Sequence, residues 1–136
     1  MIEQATIKFI TGLDRSAPRP SAIISQCSPL SIKRNPLSGE LLAVWNQIPA
    51  YNTRKLEKHS WARTPLVGAV SKDEGRTWSG YFAVEREEVG SGCCYVAIHF
   101  TGSTLLLAYC AVEAEDGICL SRLKMRKIAL SELQGR

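Results

Sequence analysis

Nine short runs of alternating apolar and polar residues, separated by turn-forming stretches, leave this chain few folds to choose from. The runs fall at residues 5–10, 21–25, 29–34, 41–46, 66–71, 81–86, 95–100, 104–110 and 118–128. They are rich in Val, Ile, Tyr, Phe and Leu, which suit a pleated, half-buried surface. Between them lie NPLSG, KDEG, GSG, TGS and EDG, turns of the kind that join consecutive antiparallel strands. Helical spacing is almost absent, and only residues 130–134 suit a helical turn. The class expected is all-β, with sheets of three or four strands and short meander connections. In the last run Arg122, Lys124 and Arg126 alternate with Leu123 and Met125. That alternation predicts a solvated outer strand with a charged wet face and an apolar dry one.

The chain has 136 residues, 45% hydrophobic and 22% charged, enough for one modest core and therefore one domain. Its longest apolar stretch, 105–112, is far short of the roughly 20 residues of a membrane helix. The opening MIEQATIK lacks the basic and apolar regions of a leader. We expect a cytoplasmic protein without a membrane partner. Five cysteines, Cys27, Cys93, Cys94, Cys110 and Cys119, are an odd number in no metal-ligand spacing. They read as reduced thiols, with no metal and no cofactor implied. A formal charge of +4 without a dense basic run argues weakly for an anionic ligand and hardly at all for nucleic acid, and no nucleic-acid partner is expected.

One connection is too long for a compact meander. Residues 47–64, QIPAYNTRKLEKHSWART, carry Arg54, Lys55, Lys58, His59 and Arg63 against a single Glu57. Loops of this length are functional or disordered. The stretch reads either as a solvated charged loop or as a cationic lip over an anion pocket.

The most specific motif is SKDEGRTW, residues 71–78, which fits SxDxGxTW at Ser71, Asp73, Gly75, Thr77 and Trp78. An aspartate in a hairpin accepts hydrogen bonds from the N–H groups of its own turn, and glycine allows the positive φ of a tight reversal. Tryptophan then buries a large apolar face on the neighbouring sheet. The motif resembles the Asp-box of sialidases and related β-propellers, and its role is that of a structural staple. Asp73 is not expected in an active site.

The likeness extends further. Residues 28–46, 63–78 and 92–110 look like consecutive segments of bacterial sialidase-like proteins, covering most of the chain. In that family an arginine just ahead of the last Asp-box belongs to a triad that grips the sialic acid carboxylate, and Arg63 stands in that position. The guanidinium fork matches a carboxylate bidentately and stays charged at any working pH. The family's nucleophilic tyrosine begins an inner strand resembling YSxL. Tyr95 in YVAI matches it, with Val96 where the serine would be. A tyrosine nucleophile spares the substrate's carboxylate an approach by a second carboxylate, but a phenol of pKa about 10 needs a base. The family supplies a glutamate for that purpose and an early aspartate as acid and base. In the family's order those residues and the other two arginines precede Ser28, and the 27 residues ahead of it lack room for them.

Propeller blades take roughly 40 to 50 residues, so the resemblance implies two to three blades of a six-bladed wheel. They divide as N-terminal strands over 1–27, a blade with the Asp-box over 28–90 and a C-terminal blade over 91–136. Such an arc would expose apolar blade faces and open edges, which implies homo-oligomers formed through those faces. The functional expectation is a sialidase-like glycosidase fragment recognising an acidic sugar without a full catalytic set in one chain. The alternatives are a non-catalytic glycan-binding module and an assembly element. The candidate residues are Tyr95 for catalysis and Arg63 and Asn46 for the sugar. Trp45 reads as core, His99 as a structural histidine, and Cys93 and Cys94 as small apolar filler.

Overall fold

In the computed structural model the described residues are 17, 19–26, 28–47, 63–117 and 120–134. The expected strand at 5–10, most of the loop at 47–64 with Arg54, Lys55, Lys58 and His59, and the cysteines Cys27 and Cys119 lie outside them. Two antiparallel sheets result. The first runs in the order β1 (Ser31–Arg34), β2 (Leu41–Asn46), β3 (Leu66–Ser71), β4 (Ser79–Glu85). The second runs in the order β5 (Gly92–Thr101), β6 (Thr104–Val112), β7 (Arg122–Ala129), followed by the short helix α1 (Leu130–Gln134). Both are meanders, so every neighbour in space is a neighbour in sequence. The run at 21–25 contributes only a bridge between Ser25 and Gln47.

The sheets share one core. Leu42, Val44, Leu66, Phe82 and Val84 from the first meet Val96, Ile98, Leu105, Leu107 and Tyr109 from the second, with Leu130 of α1 closing one end. Strand alternation aims these side chains at one another, and full burial of each apolar one contributes about 1.5–3 kcal/mol. The first sheet is apolar on its other face as well. Ala43, Trp45, Val67 and Ala69 are packed there by Ile23 and Trp78, so β2 and β3 read as nearly continuous hydrophobic runs. Trp45 is core, as expected, with its ring edge-on to Tyr81 at 5.9 Å. Its Nε1 is buried without a hydrogen-bond partner. Gly68 has its own reason to be glycine: a Cβ there would come 2.6 Å from Cε1 of Phe82, the residue opposite it on β4.

The expected polarity of β7 is reversed. Leu123 and Met125 are 76% and 67% exposed, while Arg122 and Lys124 are half-buried. The cations face the seam between the sheets and meet acidic groups there. Arg122 pairs with Glu113, Glu115 and Asp116 at 3.1, 2.8 and 2.8 Å, Lys124 with Glu113 at 2.8 Å, and Arg126 with Glu85 at 3.8 Å. Pairing Tyr109 with Lys124 and Ala111 with Arg122 fixes that register. Because the side-chain period is two, it turns Leu123 and Met125 outward. His99 faces out from the sheet, on the side that carries Tyr95 and Ala97.

Candidate functional site

The SKDEGRTW segment forms the reversal from β3 to β4. The Ser71 hydroxyl donates to Asp73 Oδ1 at 2.8 Å and accepts from Gly75 N–H at 2.8 Å. Asp73 in turn accepts the Thr77 N–H at 2.8 Å and the Thr77 hydroxyl at 2.6 Å. Glu74 and Gly75 both take positive φ, 60° and 82°. The Thr77 bonds to its charged form hold the Asp73 carboxyl down at about 2. Trp78 then lies on the first sheet's outer face. Arg34 reaches the same turn from β1 and forks onto Glu74 at 2.9 and 2.7 Å. Every donor and acceptor named in this turn is engaged with another part of the chain, which leaves it the geometry of a clasp.

The other candidates meet at the opposite end of the strands. Asn46 closes β2, Arg63 leads through Thr64 and Pro65 into β3, and Cys93 is the second residue of β5. The Cys93 N–H donates to the Arg63 carbonyl at 2.8 Å, tying the approach to β3 onto the second sheet. Beyond Cys94 the pairing of β5 with β6 shifts: Cys94 faces Cys110 and Ala97 faces Ala108, so Tyr95 and Val96 together stand opposite Tyr109. This is a bulge, and its extra residue is Tyr95, with φ 57°. An L-residue in that region is uncommon and costs of order 1–3 kcal/mol. The bulge keeps Val96 in the core and presents Tyr95, 50% exposed, on the outer face.

Arg63 lies against that tyrosine. Its guanidinium carbon is 5.3 Å from the Tyr95 ring centroid, and Nη1 donates to Cys94 Sγ at 3.1 Å. Partial burial pulls the guanidinium down. Bonds to Tyr95 and Cys94 outweigh that and leave it above its ordinary value, so Arg63 is a cation at any working pH. Cys94 is buried beneath the pair, while Cys93 points into the core, where burial pushes its thiol up to about 12. Cys93 is therefore not poised as a nucleophile, since a thiolate is the reactive form.

Asn46 is 1% exposed and its polar atoms are all engaged. Its Nδ2 donates to the carbonyls of Arg63, Pro65 and Cys93 at 3.0, 3.2 and 2.8 Å, and its Oδ1 accepts from the Ser28 hydroxyl at 2.7 Å. It lies under the Arg63 backbone, out of a ligand's reach.

A second tyrosine went unnoticed in the sequence. Tyr109 is fully buried, and its hydroxyl donates to Glu85 Oε1 at 2.5 Å. Burial first, and then this bond, push the phenol far above its ordinary value, so it stays neutral. The alternation that puts Leu105 and Leu107 in the core puts Tyr109 there too, and a phenol in a core row needs a partner for its O–H; that was the available signal. A cleft of about 220 Å³ lies at the end of the β3–β4 turn among Leu42, Val70, Phe100, Leu130 and Leu133. The cation at its mouth, Lys72, faces Glu40 at 3.7 Å.

Among the described residues there is no group of three or more His, Cys, Asp or Glu side chains placed to hold a metal, and no helix long and apolar enough to cross a membrane. No family model, curated protein or solved structure matches the chain.

Proposed function

We propose that the chain is a sialidase-type pair of β-meander blades whose Arg63–Tyr95 face binds an acidic sugar without cleaving it. One observation carries the reading: the guanidinium of Arg63 lies on the ring of Tyr95, which a strained bulge holds out on an exposed sheet face. Arginine offers five N–H donors in a planar fork matched to a carboxylate, and the phenol beside it offers a hydroxyl and a flat ring for the sugar. The Asp-box clasp between β3 and β4 supports the same ancestry, as does the face-to-face packing of two meanders.

Binding is favoured over hydrolysis by what surrounds the phenol. A tyrosine nucleophile needs a carboxylate base within hydrogen-bond reach. Among the described residues the tyrosine bonded to a glutamate is Tyr109, and it is buried. Titration calorimetry with N-acetylneuraminic acid tests the reading, with Arg63→Ala expected to abolish the heat of binding. A fluorogenic sialoside should remain uncleaved by both proteins. Absence of binding by the unaltered protein, or equal binding by the variant, would defeat the proposal.

A second reading, self-assembly, is favoured by the outward face of β7. Leu123 and Met125 stand on the side of the second sheet that carries Ala97, Ala108 and Cys110. An apolar sheet face of this kind on a small domain is the usual mark of an interface, and we assign it to a second copy of the chain.

A further inference from the structure

We infer that Asn46 is the positioning residue of the Arg63–Tyr95 pair, setting the distance between guanidinium and ring without touching a ligand. The inference rests on the binding reading only for its functional consequence; its geometric content stands apart from any ligand.

Asn46 is the last residue of β2, yet its side chain connects three other segments. The Nδ2 group bonds to the backbone on either side of the cross-sheet link: to Arg63 and Pro65 before β3, and to Cys93 at the start of β5. Cys93 N–H itself donates to the Arg63 carbonyl, which closes a small ring of bonds joining residues 46, 63 and 93. The amide can face only one way. Three carbonyls, which accept and never donate, surround one terminus, so that terminus is the NH₂ group, and the Ser28 hydroxyl fixes the other as the oxygen. Two amide protons serve three carbonyls, so one proton is shared.

Arg63 lies in the segment leading into β3 of the first sheet and Tyr95 in β5 of the second, and nothing in β-sheet pairing fixes one against the other. The bonds of Asn46 and Cys93 do so within two residues of Tyr95. A shift of about 1 Å at a binding or reacting centre can cost about a hundredfold, so the amide has leverage on the pair. Substitution by aspartate keeps the shape but turns oxygen lone pairs toward the carbonyls, which should push residues 63 and 93 apart.

The test uses the whole chain without ligand. In the unaltered protein, NMR should show cross-relaxation between the Arg63 Hδ protons and the Tyr95 ring, with those protons shifted upfield by the ring current. In Asn46→Asp both signatures should be lost, while the core methyl resonances of Val44 and Leu107 report an intact fold. Ser28→Ala, which removes only the bond orienting the amide, should reduce the upfield shift and decides the matter if Asn46→Asp does not fold. Retention of the full ring-current shift in a folded Asn46→Asp, or in Ser28→Ala where that variant decides, overturns the inference. So does absence of cross-relaxation in the unaltered protein. A parallel titration with N-acetylneuraminic acid should show Asn46→Asp, or Ser28→Ala in its place, weakened at least about tenfold. If the unaltered protein binds and the deciding variant binds equally well, the inference also falls. If the unaltered protein does not bind, the functional reading fails and the NMR arm alone judges Asn46.

Discussion

The hydroxyl of Tyr109, on the middle strand of the second sheet, donates to the carboxylate of Glu85 on the edge strand of the first. It is one of several polar links between the two layers, beside those from Ser31 Oγ to the Val96 carbonyl and from Lys33 Nζ to the Ile98 carbonyl, and Arg126 approaches the same carboxylate from β7. Hydrogen bonds to charged groups are worth about 1.5–3 kcal/mol. Tyr109→Phe should therefore lower unfolding free energy by about 2 kcal/mol in urea denaturation. A change of only a few tenths, about 0.3 kcal/mol, would place the bond among the dispensable ones.

The turn between β3 and β4 should announce itself in acid. Asp73 is held at about 2, chiefly by Thr77, against an ordinary 3.8. A carboxyl depressed in the folded state stabilises it at pH above the unfolded value, and that contribution disappears as pH falls through the folded one. Glu74, Glu113 and Asp116 are lowered as well, so the informative quantity is a difference. Unaltered protein minus Asp73→Asn should show a stability gap at pH 6 that closes between about pH 4 and pH 2. Urea midpoints across that range measure it, and a gap independent of pH would contradict the assignment.

Gly68 should resist a methyl group. The Phe82 ring occupies the space a Cβ would take, and the ring is itself buried in the core. Gly68→Ala should cost about 1–3 kcal/mol, in the range of overpacked sites. Phe82→Leu combined with it should recover part of the loss, since the two effects share one contact. Thermal unfolding of the single and double variants checks this, and simple additivity would refute it.

The outward face of β7 predicts concentration-dependent association. Sedimentation velocity should show species larger than the monomer at micromolar protein, and Leu123→Glu with Met125→Glu should return the chain to monomer without loss of cooperativity in unfolding. A monodisperse monomer for the unaltered chain would remove the basis for self-assembly.

Much of this fold was legible because strand and turn signals were local. Residues 41–46 and 66–71 alternate or run apolar between clear turns, and they are the strands observed. The SKDEGRTW turn could likewise be interpreted, since its spacing encodes its own hydrogen bonds. What escaped were properties set by distant partners. The charges of β7 looked solvated because Glu85 is far from Arg126 in sequence, and because the register that folds Arg122 back onto Glu113 and Asp116 across the β6–β7 connection is set by the pairing of whole strands. Asn46 looked like a ligand contact at a strand end, but Ser28, Arg63 and Cys93 converge on it from separate parts of the chain. The bulge that exposes Tyr95 has no glycine to signal it, since the left-handed residue is the tyrosine.

The central claim is that Arg63 and Tyr95 form a grip for a carboxylate on a sugar, and the charge of the ligand probes it most directly. Backbone NMR spectra recorded while adding N-acetylneuraminic acid, and separately its methyl ester, isolate the carboxylate. The account predicts saturable shifts centred on residues 63, 94 and 95 with the acid and much weaker ones with the ester. Equal shifts with both ligands, or shifts that leave residues 63 and 95 untouched, would contradict it.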